Sequence, residues 1–173
     1  IIEEPTPPIA EGIAIPGIVE LEDYVAYSDS TAGNEGESYR DDDVDIELVG
    51  GSGPNNTGEN YNIGWISSGE WLEYDIVIAE DNYYDIAAVS ASAENGGTIH
   101  FEIDGSYIGD ALRLNGTGGW QNWTSTSLKG VELMSGQHSL RVYMDSGAFN
   151  LDALVFTVGS EPSDDVPMFG GGN

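Results

Sequence analysis

An apolar–polar alternation of period two returns in segment after segment of this chain, and it restricts the fold more than any other feature. Val44, Ile46 and Leu48 interleave with Asp43, Asp45 and Glu47, and Leu72, Tyr74, Ile76 and Ile78 with Glu73 and Asp75. Ile99, Phe101 and Ile103 interleave with His100, Glu102 and Asp104, and Leu140, Val142 and Met144 with Arg141 and Asp145. Successive side chains of an extended backbone point to opposite faces, so these runs read as strands buried on one side. Segments 18–24, 83–91, 107–114, 121–128 and 149–158 are further strand candidates, parted by turn-forming clusters at 50–58, 95–97 and 115–119. No window shows a helix-period apolar stripe with a cap at its start. Short strands of this kind, with 24 glycines among them, predict an all-β protein: a two-sheet antiparallel β-sandwich of jelly-roll type.

The 173 residues suffice for one domain, and 39% apolar content with four Trp, nine Tyr and four Phe suffices for a core. Against 31 acidic residues stand only Arg40, Arg113, Lys129 and Arg141, a net charge of −27. Such a surface repels phosphate backbones and anionic lipids, so neither nucleic acid nor a membrane surface is expected as partner. Carboxylates also hold water and counterions, which suits a saline, marine source. The absence of cysteine removes disulfides, thiol catalysis and zinc–thiolate sites, leaving packing and a hard cation as means of stabilisation. Residues 1–16, with four prolines, and 160–173, ending in a glycine run, read as linkers around a folded unit at 17–159. The expected whole is one module of a longer protein.

Enzyme motifs are missing: there is no G-x-S-x-G, Walker loop or H-E-x-x-H, and His100 and His138 stand without metal-ligand spacing. Asp43, Asp45 and Glu47 would set three carboxylates on one strand face, an arrangement that suits a retaining glycoside hydrolase. The alternative is a solvated outer face, and Glu73-x-Asp75 and Glu102-x-Asp104 repeat the spacing. For a metal, Glu20 and Glu22 share one face of the first strand candidate, and Asp152 alternates in the last. First and last strands of a sandwich often lie side by side, so the three carboxylates are candidates for a Ca²⁺ site. Trp65, Trp120 and Trp123 adjoin glycine-rich turns, with Asn62, Asn115, Asn122 and Asn150 in nearby segments. Flat aromatic faces stack on the C–H face of a sugar, and amides and carboxylates bind its hydroxyls.

Five segments in order, IVELEDY, YRDDDVDIE, YNIGWISSGEWLEYDIVI, GGWQNW and AFNLDALVF, resemble the hallmarks of carbohydrate-binding module family 6 across about residues 17–159. The resemblance implies a calcium-stabilised sandwich without catalysis of its own that targets a covalently linked catalytic domain to its polysaccharide, outside the cell. It implies that Trp65 and Trp120 clasp a sugar in loops at one end and that Asn150 binds a hydroxyl. Trp65 stands where tyrosine is common in the family. Tyr39 and Asp41 are expected at the rim of that site. The metal would take Glu20, Glu22, Asp152 and a backbone carbonyl near Arg40. Many relatives have a second cleft on the concave sheet face. The YRDDDVDIE and GWI variants resemble modules attached to agarases and other marine polysaccharide hydrolases. The expected ligand is therefore agarose, gripped at its non-reducing chain end, with another neutral glycan such as β-1,3-glucan or xylan as alternative. A small jelly-roll glycoside hydrolase and a calcium-dependent adhesion module are the readings of other classes.

Overall fold

The computed structural model describes residues 11–50 and 61–163. Among them the strands are β1 (Ile13–Ile15), β2 (Gly17–Glu20), β3 (Ala26–Ser28), β4 (Ile46–Leu48), β5 (Tyr61–Ile63) and β6 (Trp71–Ile78). They continue with β7 (Asn82–Ser92), β8 (Gly97–Ile103), β9 (Ser106–Leu114), β10 (Gly119–Leu133), β11 (Gly136–Met144) and β12 (Asn150–Val158). One sheet runs β1-β6-β11-β8-β9, with β3 on the other half of the β6 edge that β1 occupies. The second runs β10-β7-β12-β5-β4, with β2 beside β12.

The alternation read from sequence supplies the core between these sheets. Tyr74, Ile76, Leu140, Val142, Ile99 and Phe101 of the first sheet are buried, as are Ile86, Ala88, Leu154 and Phe156 of the second. Each large side chain taken from water in this way contributes roughly 1.5–3 kcal/mol. Among the described residues no helix is long and apolar enough to cross a membrane.

The two-sheet sandwich is as expected, and three expectations change. Residues 13–15, inside the expected linker 1–16, form β1, because Ile13 and Ile15 can pair with Ile76 and Ile78 and Ile15 enters the core. That pairing is parallel, among ladders that are otherwise antiparallel in the described residues: the chain runs alongside β6 and then crosses to the other sheet within two residues. Gly17 makes that crossing tight, since a Cβ there would lie 2.4 Å from the Ala14 carbonyl oxygen. Segment 18–24 breaks after Glu20 into a 3₁₀ turn, Leu21–Asp23, that keeps Leu21 in the core and turns Glu22 inward. Finally, β4 holds only three of the residues expected to alternate from Asp43, because the carboxylates before it close loops: Asp43 accepts from the Gly33 amide at 2.9 Å and Asp45 from the Glu35 amide at 2.7 Å. The row Asp43, Asp45, Glu47 therefore does not form one strand face. Residues 1–10, 51–60 and 164–173, with much of the 50–58 turn cluster and the C-terminal linker, lie outside the described residues.

Candidate functional site

The pairing of β10 with β7 is interrupted where the chain enters it. Gly119 faces Ser92 and the next pair is Thr124 with Ser90, five steps along one strand against two along the other. The surplus residues are pushed out of the ladder as a bulge, a device that re-aims side chains at sheet ends. Trp120 sits on it, 42% exposed. Trp65 follows β5 and is held with a left-handed backbone, φ +47°, 53% exposed. A non-glycine residue held there costs on the order of 1 kcal/mol, and such strain collects at binding sites. Gly64 before it donates its amide to the Asp45 carbonyl at 2.9 Å. A Cβ on Gly64 would stand 3.2 Å from Asn150 Oδ1, so this position keeps the site open.

The two indoles line a pocket of about 390 Å³ together with Phe149, Asn150, Glu47 and Glu94. Beneath it lies an amide–carboxylate network. Glu47 Oε1 accepts from Asn62 Nδ2 at 3.2 Å, Gln121 Nε2 at 3.1 Å and Asn150 Nδ2 at 3.3 Å. Asn150 Nδ2 also donates to the Trp120 carbonyl at 2.8 Å, and Gln121 Nε2 to Asn62 Oδ1 at 3.2 Å. Strand register places these groups: Glu47 on β4 faces Asn62 on β5, and Asn150 opens β12. Asn150 is only 4% exposed, so its amide is fixed before any ligand arrives. Two apolar ring faces above preorganised polar groups suit a sugar ring: the faces take its C–H surface, and amides and carboxylates take its hydroxyls.

The structure thus brings Trp65, Trp120 and Asn150 together on one pocket. Tyr39 and Asp41 are not among its lining residues. Tyr39 has a left-handed backbone, packs on Tyr61 with ring centroids 4.8 Å apart and donates its hydroxyl to Asp23, while Asp41 is exposed on the loop before β4. Trp123, Asn115 and Asn122 line a separate groove. Glu47 and Glu94 are pocket residues that the sequence reading did not place there. No sequence signal marks Glu47, which meets the Asn62 and Gln121 amides only through the β4–β5 register and the β10 bulge.

Of the residues considered for a metal, Glu22 is 3% exposed, and its Oε2 has no hydrogen-bond partner. Burial first, then the charges of Glu20, Asp23 and Asp152, push its carboxyl up to about 8. Those neighbours therefore stand close enough to be felt, although among the described residues no three carboxylate or histidine side chains converge in metal-site geometry. The Arg40 carbonyl accepts from Asn34 Nδ2 at 3.0 Å, and its guanidinium donates to the Tyr24 carbonyl at 2.8 Å.

Fold and site together define a β-sandwich sugar-binding module. A family model described as carbohydrate binding module (family 6) matches residues 35–158, and the chain belongs to that family. It is a non-catalytic polysaccharide-binding module. It is 25% identical to the module of Cellvibrio mixtus lichenase 5A solved in complex with cellotriose, with 82% of this chain and 96% of that one covered and a TM-score of 0.63. The C-terminal family 6 module of a marine laminarinase from Zobellia galactanivorans is 27% identical, with coverage of 81% and 97% and a TM-score of 0.64. The clotting factor G alpha subunit of Tachypleus tridentatus is 30% identical over 102 residues, 58% of this chain, so the chain spans 15% of that relative's length.

Proposed function

We propose that the pocket clasps the non-reducing terminal residue of a neutral polysaccharide between Trp65 and Trp120, and that the module targets a covalently attached glycoside hydrolase to that polysaccharide outside the cell. The observation that carries this reading is the pair of exposed indoles lining one pocket above the buried Asn150–Glu47 network. The rings supply stacking of around 1 kcal/mol each beyond area burial, and the network selects hydroxyl configuration. A net charge of −27 disfavours sulfated or carboxylated chains. Laminarin is the first choice among neutral glycans, on the likeness to the marine laminarinase module, which at 27% identity stands slightly above the 25% of the lichenase module. Agarose is the second reading, supported by the resemblance of YRDDDVDIE and GWI to agarase-attached modules; these segments supply Glu47 and Trp65 to the pocket, while Asp41 is not among its lining residues. Affinity electrophoresis in laminarin, agarose and xylan gels tests the order. Retardation in laminarin alone supports it, and retention only in another gel reverses it.

We also infer a structural Ca²⁺ held by Glu20, Glu22, Asp152 and the Arg40 carbonyl. An all-oxygen donor set around a buried carboxylate with an unbonded Oε2 suits a hard cation. When bound, the ion supplies positive charge that keeps these carboxylates ionised and ties the 3₁₀ turn to β12. A fall in Tm on adding EDTA, reversed by Ca²⁺, is the expected result; an unchanged Tm contradicts it.

A further inference from the structure

Along the β10 residues that follow Trp120 runs a broad groove of about 800 Å³. Asn115, Thr117, Gln121, Asn122, Trp123 and Thr124 are among its lining residues, and the others are one glycine, one serine and one threonine. Not one lining side chain is charged, on a chain with 31 acidic residues. The surface is made of hydroxyls and amides around a half-buried indole, whose Nε1 makes no hydrogen bond. Groove and pocket are joined through adjacent residues: Trp120 lines the pocket, Gln121 lines the groove, and Gln121 Nε2 reaches Glu47 of the pocket at 3.1 Å.

We propose that this groove is a second subsite that takes the continuing chain of the neutral polysaccharide whose terminal residue sits in the pocket. The inference rests on the pocket reading above. An uncharged surface of hydroxyls and amides with one aromatic ring matches a polyhydroxylated, uncharged polymer, and desolvating it requires no burial of charge. Nucleic acid finds no Lys or Arg there, and a second copy of a chain carrying −27 is repelled. The bulge thus presents Trp120 to the end of the chain and Trp123 to the following units.

The test is calorimetric titration of the whole chain with laminari-oligosaccharides and neoagaro-oligosaccharides of two, four and six units. In the series that binds, wild-type affinity should rise about tenfold from two units to six, a gain of about 1.4 kcal/mol. Trp123→Ala should abolish that rise and leave two-unit affinity within about twofold of wild type. Should Trp123→Ala lower the Tm, Asn122→Asp, which sets a carboxylate in the groove from an exposed position, decides instead with the same expected loss. A flat wild-type length series, or a rise that survives in the deciding variant, overturns the groove. Trp65→Ala separates the two readings: it should weaken binding at every length. If it leaves two-unit binding intact, the pocket reading fails while the length series still reports on the groove. Absence of binding to both series overturns both.

Discussion

The pocket and the outer face of the first sheet both display tryptophan, and they treat the ring in opposite ways. At the pocket, Trp65 and Trp120 keep about half of their surface in water, and the polar groups near them bond to one another beneath. On the outer face of the first sheet, Trp71 carries the Arg141 guanidinium 3.7 Å above its ring, and Arg141 is held there by Glu73 at 2.9 Å. The same face stacks His100 between Tyr107 and Tyr143, with centroids 4.3 and 4.9 Å apart, and Asp145 bonds His100 Nδ1 at 2.8 Å. Aromatic surface alone therefore does not mark a binding site. What separates the two regions is whether the protein's own groups already cover the ring faces. A ring covered by a guanidinium stabilises the sheet, whereas a bare ring beside fixed amides is left for a ligand.

Substitutions can break or sharpen this contrast. The largest effect is expected at the pocket. Trp120→Ala should weaken oligosaccharide binding by about 30-fold or more, the loss of a central aromatic contact, with a Tm within about 2 °C of wild type; titration and calorimetry on one sample measure both. Glu47→Ala comes next. It leaves the amides of Asn62, Gln121 and Asn150 without their common acceptor, so affinity should fall about tenfold and stability by about 1–3 kcal/mol. Denaturant unfolding should show Glu47→Gln, which retains an acceptor oxygen, to be milder. Trp71→Ala should do the reverse of Trp120→Ala: a cost of about 1–2 kcal/mol, seen as a Tm lower by about 3–6 °C, with short-oligosaccharide binding unchanged within about twofold. A strong loss of binding in Trp71→Ala would erase the distinction between the two regions.

The smallest effect concerns His138, near the start of β11. Its Nδ1 meets Asp104 Oδ2 at 2.6 Å and its Nε2 the Met134 carbonyl at 2.9 Å, so both nitrogens face acceptors and the charged imidazolium is favoured. The bond to Asp104 is the main reason the histidine is raised above 6.5, and the bond from His138 is the main reason Asp104 is lowered below 3.8. The histidine's contribution is complete below about pH 6.5 and is lost as pH rises through its raised folded value. The aspartate's contribution is present above about pH 4 and is lost as pH falls through its lowered folded value. The Tm difference between wild type and His138→Ala should therefore be greatest near pH 5 and vanish in alkaline buffer. It should amount to a degree or two, since the Asp104 carboxylate is largely exposed.

Period-two alternation made β6, β8 and β11 legible, because each is buried on one face and a one-residue slip would expose its whole apolar row. Alternation misled where side chains bond to loops instead of facing a sheet. Asp43 and Asp45 look like the outward half of a strand, yet both accept loop amides, and β4 starts only at Ile46. Glu20 and Glu22 look like neighbours on one strand face, but the turn at Leu21 separates their backbones and buries Glu22. Trp65, Trp120 and Asn150 were readable as a group because their glycine-flanked segments resemble a known pattern. Glu47 was not, since its place depends on the β4–β5 register and on the bulge that brings Gln121 across. A bulge of that size leaves no period in the sequence.

The most direct test is a crystal structure of the module with a bound neutral oligosaccharide. The terminal pyranose should lie between Trp65 and Trp120, with hydroxyls on Asn150 and Glu47. Sugar seated over Trp71 on the outer sheet face, with both pocket indoles still bare, would contradict the central claim.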